Sequence, residues 1–308
     1  MKMQIKYLVI FCLTAGWLNM TAQQDPMFSQ YMFNMLTVNP AYAGSADLTT
    51  ANIIYRHQWV EFDGAPVTQT LTMHSPLKRE SISVGGSLVN DSHGKIKQTA
   101  IFGDVSYRIF LDRSKIAFGL KAGMSLFQAD LLSVNTVSPD DPAFQQNIKN
   151  RVLPNFGTGI MWYSDKSYIG LSAPRLLSNK LLSGNLPDFN NNRERQHFFL
   201  TAGTVLEINN YLYFKPTATF RAVNGAPPSF DFTANFMFYE RFWAGAMYRF
   251  QESMGMLLQY EINNRLRVGY AYDYPLMDIG NYSIGSHEIM LGVDFGKKAG
   301  ADISPRFF

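Results

Sequence analysis

Five histidines, a few loop aspartates and a glycine triplet are the residues of this 308-residue chain whose chemistry is worth testing first. Imidazoles at close spacing would make a metal site, and an imidazole beside a carboxylate or hydroxyl would make an acid–base pair. His57, His74, His93, His197 and His287 are scattered, and no two stand at a metal-binding spacing along the chain. His93 lies in Asn90-Asp91-Ser92-His93-Gly94, the composition of a solvated turn. Asp130, Asp140 and Asp141 could gather around calcium, but the ligand spacing of an EF-hand is missing, and a solvated acidic loop is the simpler reading. Gly157-Thr158-Gly159 falls inside a strand pattern with no helix behind it, so its glycines read as room for a neighbouring backbone, not as a phosphate loop. A serine hydrolase would need serine and histidine brought together, and no signature places such a pair. The sequence predicts no enzyme, no cofactor and no metal site.

The elements around these residues repeat one grammar. From Phe198 to Phe295, alternating apolar and polar segments are separated by short breaks, and in Arg265 to Tyr274 the residues Leu266, Val268, Tyr270, Tyr272 and Tyr274 share one face. Arg265, Arg267, Gly269, Ala271 and Asp273 share the other. Counted this way the chain carries fourteen strands: 52–61, 67–75, 81–90, 97–109, 115–126, 155–163, 167–174, 197–208, 211–222, 229–239, 242–251, 254–262, 265–274 and 286–295. Ile116, Phe118, Leu120, Ala122, Met124 and Leu126 oppose Lys115, Ala117, Gly119, Lys121, Gly123 and Ser125 in the fifth. In the tenth, the face bearing Phe230, Phe232, Ala234, Phe236 and Phe238 opposes Asp231, Thr233 and Asn235.

Alternation alone leaves a soluble β-protein open, since a sandwich buries the same face inward. The connections discriminate. An outer-membrane barrel has short periplasmic turns and longer outer loops in strict alternation. Here Ser75 to Glu80, Phe110 to Ser114, Ser164 to Lys166, Asn209-Asn210, Glu240-Arg241 and Asn263-Asn264 are brief and all even-numbered, while the long connections near 127–154, 175–196 and 275–285 are all odd. Asn-Asn suits the left-handed conformations of a two-residue hairpin, whereas Glu240-Arg241 calls for a bulge. Fourteen strands enclose a polar, partly wet lumen, for which Lys115, Lys121, Glu288, Asp294, Arg265, Arg267 and Asp273 supply the inner face. Trp59, Trp162, Tyr163, Tyr211, Tyr239, Phe242, Trp243 and Tyr274 collect near strand ends as interfacial girdles would.

Lys2 and Lys6, the apolar run Tyr7 to Leu18 and the small Thr21-Ala22 read as a secretory signal peptide. Cys12, the one cysteine, lies inside it, and Phe11 argues against a lipid anchor there. Without Lys2 and Lys6 the 27 basic residues become 25 against 24 acidic ones, so the charge gives no sign of a nucleic-acid partner. Past Ala22 no run approaches the ~18–20 apolar residues of a membrane helix. The organisation expected is a leader (1–22), an N-terminal periplasmic or lumenal segment (23–48), an outer-membrane barrel (49–296) and a tail (297–308). Within the second, residues 25–36 look helical: Asp25 caps, Pro26 suits the first turn, and Phe28, Met32, Met35 and Leu36 share a face until Asn39-Pro40 stops it. Such a segment either plugs the lumen or docks in the periplasm. The run Asn190 to Arg195 reads as a hydrated outer loop.

The N-terminal run Gln24-Asp25-Pro26-Met27-Phe28-Ser29-Gln30-Tyr31-Met32-Phe33-Asn34, followed by Val38-Asn39-Pro40-Ala41-Tyr42-Ala43-Gly44-Ser45, resembles the start of the mature PorP/SprF family. These are outer-membrane proteins associated with the type IX secretion system and gliding motility of Bacteroidota. The likeness continues through Tyr55-Arg56-His57-Gln58-Trp59, Gly64-Ala65-Pro66, Asn224-Gly225-Ala226-Pro227, Tyr270 to Pro275, His287 to Phe295 and Pro305-Arg306-Phe307-Phe308, but not through 127–195. The resemblance implies an all-β transmembrane antiparallel barrel in the outer membrane, surrounded by lipid. It further implies a barrel that binds or anchors a secreted cell-surface adhesin through its C-terminal sorting domain, or links to periplasmic components of the type IX machinery. It supplies no catalytic residues. Partner contact is expected from Asp25, Pro26, Phe28, Tyr31, Asn39, Pro40 and Tyr42, and a general diffusion porin or structural outer-membrane barrel is the alternative.

Overall fold

The computed structural model describes residues 27–134, 146–181, 193–224 and 226–296. Asp25, Pro26, Asp140, Asp141, Asn190 to Asn192, and the expected leader and tail lie outside them. The described strands are β1 (Thr49–His57), β2 (Val67–Pro76), β3 (Ile82–His93), β4 (Ile96–Phe110), β5 (Lys115–Ala129), β6 (Ile148–Tyr163), β7 (Ser167–Arg175), β8 (His197–Thr204), β9 (Leu206–Asn209), β10 (Leu212–Val223), β11 (Ser229–Phe238), β12 (Phe242–Arg249), β13 (Ser253–Asn263), β14 (Leu266–Pro275) and β15 (Ser286–Phe295). Val205 divides β8 from β9, which are two parts of one stave against β10, so the wall has fourteen. Each stave pairs antiparallel with its neighbour in sequence, and β1 closes the ring on β15 from Thr49↔Phe295 to His57↔His287. No described helix is long and apolar enough to cross a membrane; the strands cross it.

Burial in this wall is inverted relative to a water-soluble protein. Along β4, Ile101, Val105, Tyr107 and Ile109 are exposed outward while Asp104, Ser106 and Arg108 are buried. Along β5, Phe118, Leu120 and Met124 face out while Lys121 and Ser125 are buried. The outward side chains form the apolar band that hydrocarbon requires, and the closed ring leaves no strand edge unpaired within it.

Beyond the outer leaflet this pattern switches. In β5, Leu126 is the last apolar residue pointing out; Phe127 and Ala129 then turn inward and Gln128 outward. Phe127, Ala129, Leu153 and Leu181 form a core backed by Ile96, Leu131 and Ile148. There β4, β5 and β6 therefore behave as a soluble sheet. They run 15 or 16 residues against 8 in β12, which amounts to about 25 Å more strand on one side of the barrel.

Several expectations are corrected. The first strand covers 49–57 rather than 52–61, because Trp59 and Glu61 adopt left-handed φ of 46° and 76° and break the extension. Neither asparagine pair uses a left-handed backbone: Asn263 Oδ1 accepts from the amides of Arg265 and Leu266 (2.9 and 3.0 Å) and Asn209 Oδ1 from that of Tyr211 (3.1 Å), turning the chain by side-chain hydrogen bonds. The positive φ values fall instead on Tyr239 and Glu240, at 50° and 54°. Tyr163 and Trp243 leave the girdle for the lumen, since alternation sends one member of Trp162-Tyr163 and of Phe242-Trp243 inward.

Residues 27–43 are likewise not one helix. They form three 3₁₀ turns, Tyr31–Phe33, Met35–Thr37 and Pro40–Tyr42, separated at Asn34 and Asn39. Met27, Phe28, Tyr31, Met32, Met35, Leu36, Val38, Ala41, Tyr42 and Ala43 are all buried, so the segment has no wet face. A barrel wall surrounds it, and the 3.6-residue stripe that suggested an α-helix is one part of a surface that is buried nearly all round, with Ser29, Gln30, Asn34 and Asn39 polar among the apolar residues.

Candidate functional site

The lumen is built by the N-terminal segment and the polar inner face that grips it. Nearest the loop end, the amides of Ser29 and Gln30 donate to the two oxygens of Glu288, at 2.8 and 2.9 Å. Arg56 of β1 completes the cluster: its Nη1 lies 2.6 Å from Ser29 Oγ and 3.1 Å from Glu288, and its Nη2 2.8 Å from Asp273 of β14. Ser29 Oγ also donates to Asp273. The side chains of Arg56, Asp273 and Glu288 are 2%, 3% and 0% exposed. One cation thus faces two buried carboxylates, and Ser29 and Gln30 supply the donors that arginine alone does not.

Further along, the wall binds the segment through its backbone carbonyls. Lys215 reaches Met32 O (3.4 Å), Lys121 reaches Leu36 O (3.3 Å), Ser172 reaches Val38 O (2.7 Å), Ser106 reaches Ala41 O (3.2 Å) and Arg108 reaches Gly44 O (2.9 Å). These donors replace the bonds a continuous helix would have made internally. Thr72 donates to Asn34 Oδ1 at 3.0 Å, and His74 Nδ1 accepts the Gly44 amide at 3.1 Å.

Three glycines make the wall thin where the segment lies closest. Asn39 Oδ1 caps the third turn by accepting the Ala41 amide at 2.9 Å, and its Nδ2 donates to Ile160 O at 3.3 Å. A β-carbon on Gly159 would occupy the place of Asn39 Oδ1, one on Gly170 would come within 2.8 Å of Asn39 Nδ2, and one on Gly119 would strike Pro40 and Ala41. A neighbouring backbone does approach Gly157, that of Pro174, whereas at Gly159 the room is taken by the Asn39 side chain of the N-terminal segment.

At the turn end Asp47 joins Arg108 and Lys115, at 2.6 and 2.8 Å. Burial opposes ionisation of this carboxyl, but the two cations prevail and hold it below its ordinary value. Apolar contacts fill the remainder: Tyr31 and Met32 with Met247, Leu257 and Ala271, and Phe33 edge-on to Trp243 at 5.7 Å.

The expected partner residues Phe28, Tyr31, Asn39, Pro40 and Tyr42 are thus gathered inside the barrel and turned to its wall; Tyr42 packs edge-on to His74 at 5.3 Å. The gripping residues Arg56, Lys121, Ser172 and Lys215 were legible only as polar positions on an inner face. Glu194, expected in a hydrated loop, is instead buried, accepting from Gln98 (3.1 Å), Asn155 (3.3 Å) and Asn179 (2.7 Å). Asp130 is exposed and bonded to Asn147 at 2.7 Å, and no group of three or more metal-ligating side chains occurs among the described residues.

Among solved structures, the chain is similar to Omp33 of Acinetobacter baumannii (7% identity, 81% of this chain and 99% of that one, TM-score 0.48). It is also similar to CymD, a monoaromatic hydrocarbon channel (12%, 90% and 95%, 0.49), and to a FadL homologue of Pseudomonas aeruginosa (11%, 89% and 95%, 0.48). No curated protein matches the sequence. The family model for the type IX secretion system membrane protein PorP/SprF matches residues 20–293. With a closed, apolar-faced barrel of fourteen staves and a family match over nearly its whole length, this chain belongs to the PorP/SprF family of type IX secretion membrane proteins and is an outer-membrane barrel.

Proposed function

We propose that this barrel is a binding partner in type IX secretion, holding a secreted cell-surface adhesin by its C-terminal sorting domain at the loop end and contacting periplasmic components at the turn end. The observation that carries this reading is the filled lumen. A segment tied to inner-face residues from β1, β2, β4, β5, β7, β10, β14 and β15 occupies the space that a diffusion pore leaves to water. The raised β4–β6 wall, with its own apolar core and polar outer face, supports the placing of the client, because a sheet standing clear of lipid offers a protein-binding surface.

For the N-terminal segment the proposal has a condition. Contact between a partner and Phe28, Tyr31, Asn39, Pro40 or Tyr42 requires withdrawal from the wall, whereas Asp25 and Pro26 precede the packed stretch. Affinity purification of the full chain in mild detergent, paired with planar-bilayer recording, tests the reading. The expected result is a co-purifying secreted protein or periplasmic component and no steady ion conductance. An open channel with no stable partner would instead establish the porin reading.

A further inference from the structure

The seam that closes the barrel carries a second arrangement, unrelated to the lumen. His57 on β1 and His287 on β15 are direct partners in the antiparallel register. Their neighbours Arg56 and Glu288 point inward and are buried, so alternation turns both imidazoles to the outer wall, where both are half-buried. The Gln58 amide bonds to Pro66 O on the β2 side. His57 therefore directs its own backbone groups to β15, making a hydrogen-bonded pair whose α-carbons stand about 5.5 Å apart.

The level of this pair is set by the outward residues beneath it. Ile53 pairs with Leu291, Tyr55 with Ile289 and then His57 with His287, passing from aliphatic to aromatic to imidazole. Gln69 already stands beside Tyr55 on β2. The histidines are thus past the hydrocarbon, at the headgroup level where water and ions reach them.

His287 is also held in place. Its Nδ1 lies 2.7 Å from the Tyr270 hydroxyl, and the Tyr272 ring packs against it at a centroid distance of 5.2 Å. Either group can donate in this bond, and the tautomer with Nδ1–H donating to the phenol oxygen leaves the Nε2 lone pair for a metal ion.

We propose that His57 and His287 form a two-imidazole site for a divalent transition-metal ion, with water completing the coordination and Tyr270 as the positioning residue. Imidazole nitrogens bind such ions at about 2.0–2.1 Å, a geometry open to two rings on adjacent strands at this separation. Copper(II) is favoured over nickel(II) and zinc(II) by its intrinsic affinity for nitrogen ligands. The ion would join the first strand to the last and resist opening of the seam. Because the two histidines are 230 positions apart, no motif along the chain could reveal them.

The test uses the full chain purified in detergent, with CuCl2 followed by electron paramagnetic resonance and ZnCl2 followed by thermal unfolding. We expect a copper spectrum with two nitrogen ligands and an unfolding midpoint raised by zinc. Both are lost in H57A and in H287A, which alter only outward side chains, and both persist in H93A. Tyr270→Phe should weaken zinc binding about tenfold while leaving the two-nitrogen copper signature. Failure of wild type to bind at millimolar metal, or equal binding by H57A or H287A and wild type, would overturn the proposal.

Discussion

Asn39 and Gly159 share one space: the asparagine side-chain oxygen stands where a β-carbon on residue 159 would be. Gly159→Ala must therefore displace the cap of the third turn or bend β6, and either adjustment costs about 1–3 kcal/mol. Gly103→Ala is the matched control, since the nearest atom to its new methyl group would be Ala122 O at 4.0 Å. Urea unfolding in lipid vesicles, followed by tryptophan fluorescence, should show a lowered midpoint for the first variant and an unchanged one for the second. Equal midpoints would mean that the segment is not wedged against this wall.

Arg56 neutralises a place where Glu288 and Asp273 are both withdrawn from water. Arg56→Met leaves two buried carboxylates facing each other, and a loss of about 3–5 kcal/mol is expected. Adding Glu288→Gln and Asp273→Asn should restore most of it, because the stranded charge causes more of the damage than the missing attraction. If the triple variant were no more stable than R56M in the same unfolding assay, contacts of arginine other than charge would dominate the site.

The wall was legible in the sequence, and its contents were not. Leu266 to Tyr274 shows its faces in a period of two, and the parity of loop lengths agrees with a count of fourteen such segments, because lipid on one side and a polar lumen on the other leave a regular mark on each residue pair. Pro40 and Ala41 rest on Gly119, a contact between chain positions far apart, and no local period encodes it. Met32 and Leu36 read as part of the face of a helix, although the lumen surrounds them and their carbonyls are met by Lys215 and Lys121 rather than by the next turn. Glu194 belongs to a polar run that reads as solvated, and its burial depends on Gln98 and Asn155 from other strands.

Asp47 gives the barrel an acid-sensitive tie at the turn end. Its folded-state value lies below the ordinary 3.8, so ionisation is favoured by folding. The stabilisation is fully present above the unfolded value and is lost as pH falls through the folded one. Wild type and Asp47→Asn should therefore differ by a constant amount from pH 5 to 8 and converge below about pH 4. The difference should be small, since half of the Asp47 side chain is exposed. A difference that grew on acidification would contradict the assignment.

The raised β4–β6 wall should be dispensable for the barrel and indispensable for the client. Replacing 127–154 and 175–196 with short turns removes Phe127, Leu153 and Leu181 from their outer core but leaves the lipid-facing band below Leu126. Heat-modified migration on gels should still report a folded barrel, and surface display of the adhesin should fall. Intact display would show that the client is held elsewhere.

Whether the N-terminal segment leaves the lumen during work can be decided with a reversible lock. Thr72 Oγ1 and Asn34 Oδ1 are 3.0 Å apart, and the one cysteine of the sequence is Cys12, so a disulfide between Asn34→Cys and Thr72→Cys has no competitor in the barrel wall. Oxidation pins the middle of the segment to β2; reduction frees it without changing the sequence, so a folding defect would be common to both states. If partner contact requires Phe28, Tyr31 and Tyr42 to come away from the wall, the oxidised protein should lose its partner in affinity purification and recover it on reduction. Retention of the partner by the oxidised form would place recognition on the rim and assign the segment a permanent role as the core of the barrel.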